Sequence, residues 1–272
     1  MHNKKMTRQK CMRLGRIQYL NVAPVYYGLN MRNQNEYQLT SAPPATLNRM
    51  LTMGQLDISP VSSIAYGHNQ DQWDLLPNLS ISSMGKVMSV KLVSNFLMED
   101  LDHKHVIVTH ESETAAALLK LLLRQKNIAA HYSKRPVYTP ACVRQSDAAL
   151  IIGDTALKFP WKKILPYVYD LGELWHGQTH LPFVFGVWAV RKQYADQYPE
   201  KVTQLTQKFY RSKQSGLANI SSLSRMAAHK LGIDIHTCNQ YYQCLNYDLT
   251  DMHIKGLQAF FEGLGIDYAQ KN

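Results

Sequence analysis

The stretch FVFGVWAVR, residues 183–191, is apolar along both faces of a strand. A strand of that kind belongs inside a sheet that is covered on both sides. A second β-type stretch, VMSVKLVSN, occupies residues 87–95. The chain between them alternates strand-like and helix-like segments of its own. An α/β unit is therefore inserted into another α/β unit, with two strands crossing between them. Two such units define a two-lobed protein with a hinge, whose ligand sits in the central cleft. The expected boundaries place 1–12 in a basic disordered tail, 13–92 and 186–272 in the first lobe, and 93–185 in the second.

Working outward, strands are expected at 16–20, 56–60, 106–109 and 148–152, with another starting at Ile81. Helices are expected at 45–53, 113–126, 199–231, 237–245 and 251–264. In the first of these, Leu47, Met50 and Leu51 fall on one face. Gly54, Gly232 and Gly265 follow helical stretches as C-terminal stops. No internal repeat or low-complexity segment is visible.

Composition narrows the function. The chain has 272 residues, is 45% hydrophobic and carries a formal net charge of +10. Its start, MHNKKMTRQKCMRLGR, holds six of the cations and no acid. It lacks the apolar region of a secretory signal, so the expected compartment is the cytoplasm. No apolar run is long enough to span a bilayer. The remaining cations are scattered without interleaved aromatics, which argues against a nucleic-acid partner. A mildly positive body suits a small anionic ligand. The four cysteines form no CxxC pair and are expected as free thiols. His103 and His105 lie two apart with no supporting ligand cluster, so no metal site is expected. The nucleotide fingerprints GxGxxG and GxxxxGK[ST], the GxSxG elbow and HExxH are all absent, so no cofactor is expected either.

The informative polar residues stand at strand ends, where open α/β sheets bind ligands. Asn21 closes the first expected strand. Ser62 and Ser63 follow the second. Gly85 and Ser89 lie about a strand boundary. Ser112 and Thr114 open the helix at 113–126, Asp154 follows the strand at 148–152, and Thr179 precedes the strand at 183–191. Each has a plainer reading. Ser112 and Asp154 make good helix caps, Ser62-Ser63 can cap the next helix, and Gly85 can be a turn. Together they read as a surface for a carboxylate, built from hydroxyls, backbone N–H groups and helix N-termini.

Six stretches carry a resemblance: RIQYLNVAPVYYGL at 16–29, GQLDISPVSSIAY at 54–66, ISSMGKVMSVKLVS at 81–94, SDAALIIGDTAL at 146–157, DLGELWHGQTHLPFVFGVWA at 170–189 and NYDLTDMHIKGLQAFFEGLG at 246–265. In order and spacing the chain resembles the MqnA family, the chorismate dehydratases of the futalosine route to menaquinone. The resemblance implies a type 2 periplasmic-binding-protein-like fold. It also implies a hydro-lyase that converts chorismate to 3-[(1-carboxyvinyl)oxy]benzoate. It makes Asn21 the catalytic residue, and the strand-end residues Ser62, Ser63, Gly85, Ser89, Ser112, Thr114, Asp154 and Thr179 are expected around the substrate. An amide is too weak a base to take a proton, so Asn21 is expected to orient the substrate. A carboxylate of the substrate then serves as base, with Asp154 and Glu113 as side-chain alternatives. Where the family usually reads SRTS, this chain reads Ser112-Glu113-Thr114-Ala115. An anion replaces a cation, with Lys86 or Arg16 as the compensating charge. The alternative from another class is a cytosolic binding or sensor protein that uses the same cleft without catalysis.

Overall fold

The computed structural model describes residues 11–29, 36–144 and 146–268. Its strands, in chain order, are β1 (Met12–Ile17), β2 (Tyr37–Ala42), β3 (Ile58–Ser62), β4 (Trp73–Ser83), β5 (Val90–Ser94), β6 (His105–Val108), β7 (His131–Lys134), β8 (Ala148–Ile152), β9 (Tyr167–Asp170) and β10 (Phe183–Arg191). They form two five-stranded sheets, ordered β2-β1-β3-β10-β4 and β7-β6-β8-β5-β9. In the first sheet β1 runs parallel to β2 and β3, and β10 runs antiparallel to β3 and β4. In the second, β6 runs parallel to β7 and β8, and β5 runs antiparallel to β8 and β9. The same pattern therefore occurs twice. In each sheet the antiparallel strand is the one that arrives from the other lobe.

These two arriving strands are the stretches that suggested the fold, but neither one crosses. β5 pairs only within the second sheet and β10 only within the first. The chain passes between sheets through residues 84–89 and 171–182. The lobe boundaries expected after 92 and after 185 thus fall earlier, ahead of Val90 and ahead of Phe183. Ladder pairing holds a whole strand to one sheet, and apolar pattern alone does not reveal it. Met12, expected in the tail, opens β1, pairs with Tyr37 and is buried. Residues 1–10 of that expected tail lie outside the described residues.

The two crossings are tied by one carboxylate. Asp170, at the end of β9, accepts hydrogen bonds from Val87 N at 3.0 Å and Met88 N at 2.7 Å in the first crossing. It also accepts from Gly172 N at 3.0 Å and Glu173 N at 3.2 Å, capping the helix Leu171–Thr179 in the second. The crossings touch so closely that a Cβ on Gly172 would lie 2.4 Å from the Gly85 carbonyl oxygen.

Packing follows the apolar patterns. All five residues of β8 are buried, as a central strand with both faces covered should be. The helix Glu113–Gln125 buries Leu118, Leu119, Leu121, Leu122 and Leu123. Gly232 and Gly265 end their helices at φ of 66° and 70°, a conformation that favours glycine. The long helix expected at 199–231 is two helices, Pro199–Ala218 and Ile220–Leu231, broken at Asn219. The first of them lies against the turn that follows β1. A Cβ on its Gly216 would meet the Pro24 carbonyl oxygen at 2.2 Å.

Candidate active site

A cavity of about 310 Å³ lies between the two sheets, at the ends of β1 and β3 on one side and of β8 and the segment His110–Glu113 on the other. β1 ends at Ile17, and the chain then enters a short 3₁₀ turn, Leu20–Val22. Asn21 therefore sits in that turn and does not close the strand. The turn aims it into the cavity. Among the described residues its buried Oδ1 has no hydrogen-bond partner. A buried acceptor left unpaired costs about 1–3 kcal/mol. On the cavity wall, water or a ligand can supply the missing donor.

Of the other residues singled out in the sequence, Ser62, Ser89, Ser112 and Asp154 also line the cavity. Ser62 Oγ caps the helix Ser63–Gly67, accepting from Ala65 N at 3.4 Å, and it takes a second hydrogen bond from Asn48 Nδ2. Ser112 Oγ caps its helix through Ala115 N at 3.1 Å. Ser63, Gly85, Thr114 and Thr179 do not line the cavity, and each is accounted for elsewhere. Ser63 Oγ donates to the Val184 carbonyl at 2.5 Å, tying the start of the helix Ser63–Gly67 to β10. Gly85, at φ of 90°, is a hinge turn whose carbonyl accepts from Ser83 Oγ. Thr114 Oγ1 accepts from Ile64 N at 3.1 Å, joining the two lobes. Thr179 Oγ1 donates to the Trp175 carbonyl and accepts from Leu181 N, finishing its helix. Of the pair Ser112 and Thr114, Ser112 alone lines the cavity.

The lobes also meet at the cavity edge. Tyr19 OH donates to Glu111 Oε2 at 3.1 Å. Its ring lies 3.8 Å from where a Gly153 Cβ would stand. Burial, and then the Glu111 charge, push the Tyr19 phenol above its ordinary range. Burial raises the Asp154 carboxyl. Lys230, 3.9 Å away, opposes that shift, and Glu111 adds to it. Tyr241, wholly buried on the cavity wall, is raised by burial too.

The charges of the lining are unevenly divided. Glu111, Glu113 and Asp154 all come from the second lobe, and Arg49 comes from the first. Neither cation proposed from the sequence is there. Lys86 is off the lining, and the Arg16 guanidinium stacks over the Tyr26 ring at 5.5 Å. Sequence reasoning passed over Tyr19, Asn48, Arg49, Trp73, Glu111 and Tyr241. Ala45, Asn48, Arg49 and Thr52 do recur at helical spacing opposite the buried Leu47 and Leu51. In a sequence, that face reads equally well as a solvated one.

Fold and cleft together define a two-lobed α/β protein of the periplasmic-binding-protein type. Its structure is similar to that of a protein from Archaeoglobus fulgidus, with a TM-score of 0.75 at 17% identity, covering 96% of this chain and 98% of that one. It is also similar to the periplasmic aliphatic sulphonate binding protein of Escherichia coli, with a TM-score of 0.64 at 14% identity over 95% and 94% of the two chains. The chain belongs to the menaquinone biosynthesis family, whose model matches residues 12–265. It is 34% identical to chorismate dehydratase from Thermus thermophilus, over 94% of this chain and 96% of that protein.

Proposed function

We propose that this protein is a chorismate dehydratase acting in menaquinone biosynthesis. It removes the C3 proton and the C4 hydroxyl of chorismate as one water and leaves 3-[(1-carboxyvinyl)oxy]benzoate. The observation that carries the reading is Asn21, whose buried amide oxygen has no partner among the described residues, in the cleft of a chain 34% identical to a chorismate dehydratase.

The elimination makes the ring aromatic, so the driving force resides in the substrate. The protein's part is to hold the reacting groups in line and to exclude competing paths. Asn21 hydrogen-bonds the substrate and fixes its orientation. Ser62, Ser89 and Ser112 offer hydroxyls at helix starts and strand ends. Glu111 is engaged by the Tyr19 hydroxyl and Asp154 faces Lys230. A carboxylate of the substrate itself then serves as the base, with Asp154 and Glu113, which also line the cavity, as the side-chain alternatives. No helix among the described residues is long and apolar enough to cross a membrane. The four cysteines are free thiols, which suits a cytoplasmic enzyme.

The test is incubation of the purified protein with chorismate, followed by mass. Loss of one water, absent with Asn21→Ala, supports the proposal. Saturable binding of chorismate without any product would instead make the protein a binding or sensor protein.

A further inference from the structure

The cavity does not end at the cleft. Asn21 and Gly186 line it at one end and Trp73 at the other. Gly186 pairs with Ile81 and Arg191 with Trp73. Five steps along β10 separate these pairs, roughly 17 Å at about 3.3 Å per residue. The extra length is an arm between the helix Pro44–Thr52 and the helix Ser63–Gly67. Asn48, Arg49 and Thr52 face it from the first, and Ala65, His68 and Asn69 from the second and the residues after it. Arg49, Thr52 and His68 are exposed at its rim.

Two buried polar atoms in this arm have no partner among the described residues. One is the donor Trp73 Nε1–H, on a side chain only 1% exposed, and the other is the acceptor Asn48 Oδ1. The cavity's orphaned atoms are thus spread along its length, with Asn21 at the cleft and Asn48 and Trp73 in the arm. The Arg49 guanidinium makes no ion pair or hydrogen bond among the described residues, and it is the lysine or arginine in a lining whose carboxylates all lie on the opposite lobe. A ligand with two carboxylates is repelled from the Glu111, Glu113 and Asp154 side and drawn toward Arg49.

We propose that the arm is a carboxylate-binding subsite: Arg49 supplies the charge that holds one carboxylate of the ligand, Trp73 Nε1–H supplies a buried donor, and Asn48 Oδ1 receives a ligand hydroxyl. Arg49 is then a specificity-determining residue, selecting ligands that carry a carboxylate into the arm. This deepens the reading of the cleft as a dehydratase site and rests on it for the second carboxylate. The fork of the guanidinium matches a carboxylate in two parallel hydrogen bonds, which an ammonium does not reproduce.

The experiment titrates the full chain with isophthalate, a benzene ring bearing two carboxylates, by calorimetry, and assays chorismate turnover in parallel. Arg49→Gln should weaken isophthalate binding by about 10- to 100-fold, as expected for one charge-assisted contact, with Arg49→Lys recovering part of it. Trp73→Phe should cost about threefold to tenfold. Arg225→Gln, which removes an exposed charge outside the cavity, should leave binding near the wild-type value. The proposal is overturned if isophthalate fails to bind the wild type at millimolar concentration, if folded Arg49→Gln binds it unchanged, or if Arg225→Gln loses as much. Arg49-dependent isophthalate binding without chorismate turnover would uphold the subsite and defeat the dehydratase reading.

Discussion

Asn21→Leu should stabilise the ligand-free protein and abolish its turnover. The Oδ1 atom is buried without a partner, a loss of about 1–3 kcal/mol that the free protein already bears. Leucine has nearly the same shape and no polar atom, so most of that loss is relieved. In a chain of this size each kcal/mol moves Tm by about 2–4 °C, so the ligand-free variant should melt a few degrees higher. The same change removes the hydrogen bond that orients the substrate, which should lower turnover by roughly 10²–10³-fold. Asn21→Asp isolates the electrostatics. It adds a carboxylate to a cavity lined by Glu111, Glu113 and Asp154, and brings it against an anionic substrate. One such repulsion at about 5 Å and an effective dielectric near 20 is worth about 3 kcal/mol, enough to lose about 100-fold by itself. Thermal unfolding of the free variants, with product followed by mass, reads both effects. A leucine variant that melts below the wild type would show that Oδ1 is paired in the free protein. An Asp variant with undiminished turnover would refute the orienting role of the amide.

Tyr19→Phe removes the hydroxyl that joins the lobes through Glu111, and should raise KM by up to about tenfold with kcat changed less; an unchanged KM would remove this bond from closure. Lys91 is brought down to about 8 by burial, and its ammonium donates to the Ala156 carbonyl at 2.8 Å. The folded state thus binds fewer protons than the unfolded chain between that value and the ordinary lysine value, so this group adds stability as pH rises through the window and loses it as pH falls. Lys91→Met should melt higher at neutral pH and flatten the rise in Tm between about pH 8 and 10, and parallel pH profiles would contradict this. Gly216→Ala places a Cβ against the backbone of Pro24, where no side chain can yield, and should destabilise by about 1–3 kcal/mol while shifting the turn that carries Asn21. Wild-type stability with wild-type turnover in that variant would show that this turn moves freely.

Local chemistry was enough to read much of this protein from its sequence. β8 and the stretch at 183–191 are apolar on both faces, and only a covered strand can accept that, so their place inside sheets was legible. So were the glycine stops at Gly232 and Gly265, because a left-handed residue after a helix is a local demand. Asn21, Ser62, Ser89, Ser112 and Asp154 are legible as polar groups at or near strand ends, though the short turn that carries Asn21 is not. The edge strands HYSK and YVYD at 131–134 and 167–170 carry too little apolar pattern to announce themselves. Tertiary structure alone decided which hydroxyls face the cavity. A serine or threonine beginning a helix can serve the cavity, its own backbone or a neighbouring strand, and Ser63, Thr114 and Thr179 serve backbone. It also decided where the chain crosses, since Asp170 binds Val87 and Met88 across more than eighty positions of sequence. The pairing of Tyr19 with Glu111, and the meeting of Arg49 and Trp73 in one arm, arise the same way. Such contacts depend on where whole elements stack, and no local preference of the residues encodes that position.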